Sequence, residues 1–195
     1  MREGILLGSL LTNSESWINV TNQDISELEK PDTHLLRNVL DSSASKCFMM
    51  LELGIIPVRF VLMKKRLQFL HYILNESTST MLRQVYDTLK EESRHGDFVS
   101  LTQSDKNALN IDISEEDIQL VSKWSWKKYL TEKVREAAFL YLTQENSSKE
   151  KTKNITFENL NMSKYLWENE NRGLSQMIFS IRSQTLYIKE WQPWK

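Results

Sequence analysis

The chain has 195 residues, a formal net charge of −1 and a hydrophobic share of 40%, values typical of a protein that buries a core. Its 5 glycines and 3 prolines are about one third of average usage. This scarcity argues against β-sandwiches, barrels and glycine-loop nucleotide folds, because those folds need frequent turns. We therefore predict an all-α protein with the architecture of an irregular multi-helix bundle.

The near-neutral total hides an uneven distribution of charge along the chain. Residues 1–76 have a net charge of −1, residues 77–120 have −5, and residues 121–195 have +5. Such asymmetry suggests a nucleic-acid or acidic-surface contact at the basic end, although solvated helix faces are the simpler alternative.

The first predicted helix covers residues 6–17, where apolar side chains recur with a helical period. Thr21 and Asp24 then form a capping-box pattern that opens a second helix. Pro31 lies inside this second pattern. Because proline removes a hydrogen bond and clashes with the preceding turn, we expect a kink or a break near Lys30.

Two of the rare glycines and prolines separate the next elements. Gly54 is predicted to end a short apolar segment over residues 48–53, and Pro57 to start a helix over residues 58–74. That helix contains no acidic residue and has a local charge of +4, from Arg59, Lys64, Lys65 and Arg66. Arg59 and Arg66 are two turns apart and so lie on one face, which Lys64 and Lys65 flank. Basic side chains on a helix neutralise phosphates and release counterions, so these four are candidate nucleic-acid contacts. A solvated amphipathic helix is the alternative interpretation.

Further helices are predicted over residues 80–92, 98–109, 114–121, 126–143, 160–167 and 174–187. Ser125 is the expected cap of the long helix over residues 126–143. Its apolar stripe contains Trp126, and the basic residues beside it add three candidate nucleic-acid contacts, Lys123, Lys127 and Lys128.

Motifs for catalysis or cofactor binding are missing from the sequence. Neither of the phosphate-binding glycine motifs G-x-x-x-x-G-K-[ST] and G-x-G-x-x-G occurs. No Asp-Asp pair is present to hold the two metal ions of a polymerase. The single cysteine, Cys47, excludes an intramolecular disulfide and a cysteine-based zinc site. We therefore expect a non-catalytic chain without cofactor or metal.

Three segments resemble a stretch of non-LTR retrotransposon polyproteins that directly follows the reverse transcriptase palm. They are SLLTNSESW at residues 9–17, LEKPDTHLLRNVL at 28–40 and LELGIIPVRFVLMKKRLQFLHYIL at 51–74. Later residues, among them Gly96-Asp97-Phe98 and Phe179-x-Ile181-Arg182, fit the same pattern more loosely. The subgroup most similar to the chain has a C-terminal restriction-like endonuclease, as Dong-like elements do.

The resemblance implies a thumb over residues 1–76 followed by a helical linker over residues 77–195. The palm of an RNA-directed DNA polymerase would precede Met1, and a zinc knuckle and endonuclease would follow Lys195, as parts of a parent polyprotein. The thumb would clamp a template–primer duplex of RNA and DNA through weak phosphate contacts without reading sequence. On this interpretation the chain is a fragment of a transposable element and acts inside the cell, in the nucleus, without a membrane.

Two positions depart from the family pattern. Pro31 stands where valine is usual, and Lys65-Arg66 stands for Arg-Arg, which keeps the charge but loses one planar guanidinium. Two other classes of function stay open. A helical protein-interaction module would use apolar surface such as Trp191 and Trp194, whereas a secreted helical signalling protein would explain the weakly hydrophobic N-terminus and the glycosylation sequons.

Overall fold

The structure, a computed structural model, describes residues 7–92, 94–168 and 171–185. Over these ranges it confirms the all-α prediction, with ten α-helices and no strand. The helices are α1 Leu7–Leu10, α2 Asn22–Leu40, α3 Lys46–Leu53, α4 Val58–Asn75, α5 Met81–Glu92, α6 Phe98–Ala108, α7 Glu115–Leu120, α8 Lys123–Ser147, α9 Lys164–Trp167 and α10 Arg172–Arg182. Trp191 and Trp194, in which we saw possible interaction surface, lie outside the described residues.

The N-terminal segment forms two short helices where the sequence predicted one. After α1, the chain makes a 3-10 turn at Ser14–Ser16, and Asn13 between them has a left-handed backbone with φ 54°. A left-handed residue cannot continue a right-handed helix, which explains why the predicted helix is divided. Leu7 and Leu11 nevertheless lie in the core.

Of the kink or break expected near Lys30, the break is wrong, because α2 continues through Pro31 from Asn22 to Leu40. The proline φ near −65° is itself a helical value, so the chain loses one hydrogen bond at this position without leaving the helix. The start of the helix agrees with the sequence. The Thr21 N–H donates to Asp24 Oδ2 (2.9 Å), and the Asp24 N–H donates to Thr21 Oγ1 (3.2 Å).

Two compact units make up the chain. The first consists of Met1–Asp32 and Ile56–Ala138, and the second of Thr33–Ile55 and Phe139–Lys195. The boundary that the resemblance implied between residues 76 and 77 therefore lies inside the first unit. The physical reason is that α4, which ends at Asn75, packs against α5, α6 and α7, all of which follow that boundary.

Helix α4 is the central element of the first unit. It contacts the 3-10 turn as well as α5, α6 and α7, and half of its side chains are buried. Val58 and Leu62 form a hydrophobic cluster with Leu7 and Leu11, on which Trp17 also packs. The buried half of α4 therefore forms the core of the first unit.

The core of the second unit surrounds α3. Phe48 is fully buried, and its ring centroid lies 5.9 Å from that of Phe157 and 5.5 Å from that of Phe179. Gly54 ends α3 in the predicted place with a left-handed φ of +63°, and its N–H donates to the carbonyl oxygens of Met50 and Leu51. Aromatic pairs at these centroid distances add stability beyond the area that they bury.

Glu52 brings together three parts of the second unit. Its buried carboxylate accepts hydrogen bonds from the Tyr165 hydroxyl (2.9 Å) and from Arg182 Nε (2.6 Å), and its carbonyl accepts one from the Ser163 N–H (2.7 Å). Burial and the neighbouring Glu52 raise the pKa of Tyr165 above its ordinary range. The two side-chain donors bind the buried carboxylate and the Ser163 N–H binds the backbone of the same residue, so we assign this cluster to the architecture of the unit.

Among the described residues, no helix is both long and apolar enough to cross a membrane.

Candidate nucleic-acid interface

Arg66, one of the four predicted phosphate contacts of α4, is buried with 6% of its surface exposed. Its guanidinium forms a bidentate ion pair with Asp105 of α6, in which Nε lies 2.7 Å from Oδ2 and Nη2 lies 2.9 Å from Oδ1. Burial raises the pKa of the Asp105 carboxyl, and the Arg66 guanidinium opposes that rise. Because the ion pair occupies both side chains inside the unit, Arg66 is not available for phosphate.

The other three basic residues of α4 also have little free surface. Lys65 Nζ donates to the Leu11 carbonyl oxygen (2.6 Å) and lies 3.7 Å from Glu15, and its side chain is 33% exposed. Arg59 and Lys64 are half-buried. The four residues therefore do not form the continuous basic face that their spacing in the sequence suggested.

Lys123, Lys127 and Lys128 are all exposed in the first two turns of α8. Lys123 and Lys127 are one turn apart and so lie on the same side of the helix. Lys128 Nζ lies 5.8 Å from the ring centre of Trp124, a side chain with 71% of its surface exposed. Cations interleaved with an accessible aromatic ring are typical of surfaces that bind nucleic acid.

The start of α8 differs from the prediction by one turn. Ser122, not Ser125, caps the helix, because its hydroxyl oxygen accepts a hydrogen bond from the Ser125 N–H (3.2 Å). Lys123 is therefore the first helical residue. A cation at this end is disfavoured by the helix dipole, so helix stability does not account for its presence.

A groove of about 440 Å³ lies beside these lysines, between the last turns of α4 and the start of α8. Lys123 and Lys127 line it on the α8 side, and the stripe Gln68, His71, Tyr72 and Asn75 lines it on the α4 side. Its volume is that of a pocket for a small organic group. Among the described residues, the lining of the groove combines two cationic side chains with aromatic rings and side-chain amides.

The aromatic floor of the groove is held in place by hydrogen bonds. Trp126 Nε1 donates to the Leu67 carbonyl oxygen (3.0 Å), and His71 Nε2 donates to the Val121 carbonyl oxygen (2.8 Å). The His71 and Trp126 rings are nearly parallel, with centroids 6.3 Å apart. Both rings are buried, so the floor is formed before any ligand arrives.

Tyr72 differs from its neighbours because it is 52% exposed. Glu76 lies beside its hydroxyl and raises the pKa of Tyr72 by accepting a hydrogen bond and by its negative charge. The lining of the groove is therefore positive on the α8 side, and the acidic Glu76 lies next to the Tyr72 hydroxyl at the end of α4.

The α4 side of the groove was missed by sequence reasoning. Gln68, His71, Tyr72 and Asn75 recur every three or four residues, which places them on one side of α4. This stripe of polar and aromatic side chains at helical spacing was a usable signal. The basic residues 64–66, about one turn earlier, led instead to the prediction that α4 contacts phosphate.

Comparison with known proteins identifies no relative: no family model, no curated protein and no solved structure matches the chain. The candidate interface consists of three exposed lysines, one exposed tryptophan and the adjoining groove.

Proposed function

We propose that the first unit binds the phosphate backbone of nucleic acid, without catalysis, through Lys123, Lys127 and Lys128. The single observation that carries this proposal is the exposure of all three lysines at the start of α8, where Lys128 Nζ lies 5.8 Å from the ring centre of the exposed Trp124. Contacts to phosphate position a nucleic acid without reading its sequence, so we expect weak and sequence-independent binding.

This activity is the one that the resemblance to a reverse transcriptase thumb and linker implies, and the proposal keeps three of the seven contacts predicted from the sequence. The contacts lie on α8, in the segment assigned to the linker, rather than on α4. On this proposal the natural partner is a template–primer duplex, presented by the palm and endonuclease domains of a parent polyprotein in the nucleus.

Replacing Lys123, Lys127 and Lys128 together with alanine tests the proposal. Each lost phosphate contact reduces the slope of log K against log salt by about 0.9 on duplex DNA, so we expect a reduction of about 2–3. The measurement is fluorescence anisotropy of a labelled RNA–DNA duplex titrated with protein from low to physiological salt.

The chain offers a control with an identical change in charge. Lys149, Lys151 and Lys153 are also three exposed lysines, and they lie in the segment after α8. Replacing them with alanine should leave the slope nearly unchanged. If both triple variants weakened binding equally, the affinity would depend on net charge and not on the lysines of α8, which would contradict the proposed site. No binding of the duplex by the wild-type protein at low salt would refute the proposal as a whole.

A protein-interaction module is the second candidate, because α10 has an apolar side that is exposed. Leu174, Met177 and Ile181 recur at helical spacing on it, and each has about half of its surface exposed. If this side binds a second copy of the chain, Ile181→Lys should abolish concentration-dependent association in analytical ultracentrifugation. Leu140→Lys, at an exposed leucine of α8, should not. A wild-type protein that sediments as a monomer at all concentrations would exclude this self-association.

A further inference from the structure

The groove between α4 and α8 has a size, a shape and a charge pattern that the phosphate contacts alone do not explain. A pocket that bound only phosphate would need cations and hydrogen-bond donors alone. This groove has two lysines, but it is also lined by the rings of His71, Tyr72 and Trp126. Aromatic walls with cations at one edge suit a ligand with a planar apolar part and an anionic part.

The charges fix how such a ligand would lie. Lys123 and Lys127 attract an anionic group to the α8 side, whereas Glu76 beside Tyr72 repels it from the end of α4. The planar part is then directed toward Tyr72, whose ring is the accessible one among the aromatic side chains that line the groove. Gln68 and Asn75 add amide groups of the kind that hydrogen-bond to the edges of bases.

A nucleotide has both parts in the required arrangement. We infer that the groove takes one unpaired base of a bound strand, with its phosphate at Lys123 and Lys127 and its base against Tyr72. A base inside a duplex is stacked on both faces and paired along its edge, so it cannot enter. The protein should therefore prefer nucleic acid that contains unpaired bases.

This inference rests on the proposed phosphate contacts, and its test must separate the base from the backbone. Two labelled oligonucleotides of about twelve nucleotides suit a site of this kind, one of thymidine and one fully abasic with the same phosphates. Stacking of one base on an aromatic side chain corresponds to about 5- to 160-fold in affinity, so the wild-type protein should bind the abasic strand that much more weakly.

Three variants assign the preference to the groove. Tyr72→Ala should bind both strands with the affinity that the wild-type protein has for the abasic strand, whereas Tyr72→Phe should keep the preference because the ring remains. Met81→Ala removes an exposed apolar side chain of α5 that does not line the groove, and it should behave as the wild-type protein does. The alanine triple variant of Lys123, Lys127 and Lys128 should weaken binding of both strands by the same factor.

The possible results lead to different conclusions. Equal binding of the thymidine and abasic strands by the wild-type protein overturns the inference and leaves phosphate binding intact. No binding of either strand by a protein that binds the RNA–DNA duplex overturns the inference alone, and no binding of the duplex as well overturns both proposals. Two results would overturn the assignment of the base to this groove. Tyr72→Ala could keep the preference for the thymidine strand over the abasic strand, or it could lose the same factor of affinity for both strands.

Discussion

Replacing Arg66 with methionine is expected to lower the free energy of unfolding by about 3–5 kcal/mol at neutral pH. The substitution keeps an apolar side chain of similar length in place but leaves the Asp105 carboxylate buried without its cation. Transfer of an unpaired charge into a protein interior is among the most unfavourable changes that a single substitution makes.

Urea unfolding followed by circular dichroism measures this loss as a shift of the midpoint at constant slope. The matched control is Arg94→Met, because Arg94 also pairs with a carboxylate, that of Glu92 at 3.1 Å, but on the surface with 74% of its side chain exposed. We expect that control to change stability by less than about 1 kcal/mol. Similar losses for the two variants would contradict the structural role of the buried pair.

The double variant Arg66→Met/Asp105→Leu separates a lost ion pair from a lost side chain. Replacing both members of a buried pair with apolar residues of similar volume is often neutral or stabilising. We therefore expect the double variant to regain most of the stability that Arg66→Met loses. A loss in the double variant equal to the sum of the losses of Arg66→Met and Asp105→Leu alone would show that the two side chains are not coupled, and it would contradict the stranded charge as the cause.

The pH dependence of Arg66→Met has a definite sign. Burial already raises the pKa of Asp105, and Arg66 is the group that opposes the rise, so its removal raises that pKa further. The folded variant then holds a proton that the unfolded chain releases at about pH 3.9. Lowering the pH through the raised folded-state pKa should therefore reduce the stability deficit of the variant relative to the wild-type protein.

The contrast between α4 and α8 shows what the sequence could predict. The end of α3 follows from Gly54 and the start of α4 from Pro57, and the exposure of Lys123, Lys127 and Lys128 follows from their position beside the buried stripe at Trp126. Both are local properties of spacing and of backbone preference, which a single sequence records directly.

The environment of Arg66 could not be obtained in the same way. Its spacing of two turns from Arg59 suggested one exposed basic face, but its partner Asp105 lies 39 residues further along the chain. The groove has the same origin, because Tyr72 and Lys127 become neighbours only when α4 packs beside the start of α8. Spacing along one helix predicts which side chains share a face and not what covers that face.

Gly54→Ala is expected to lower the free energy of unfolding by about 2–5 kcal/mol through two separate effects. A left-handed backbone costs a residue with a Cβ atom about 1–2 kcal/mol, and Gly54 has a φ of +63°. An added Cβ would also lie 2.6 Å from the Met162 nitrogen and 2.7 Å from the Asn161 carbonyl carbon. Both are backbone atoms, and forcing extra volume into a packed site costs about 1–3 kcal/mol.

Two further variants divide the loss between backbone conformation and contact. Gly54→Asn tolerates the left-handed conformation better than alanine does but still adds the Cβ atom, so it should keep most of the loss if the contact with residues 161–162 dominates. Gly173→Ala is the matched control in the same unit, because its added Cβ meets only the Asn171 side-chain oxygen, at 3.3 Å, and it should change stability little. Urea unfolding measures all three. Full stability in Gly54→Asn would assign the whole effect to the backbone conformation, and full stability in Gly54→Ala would contradict the close approach of the two chain segments at this glycine.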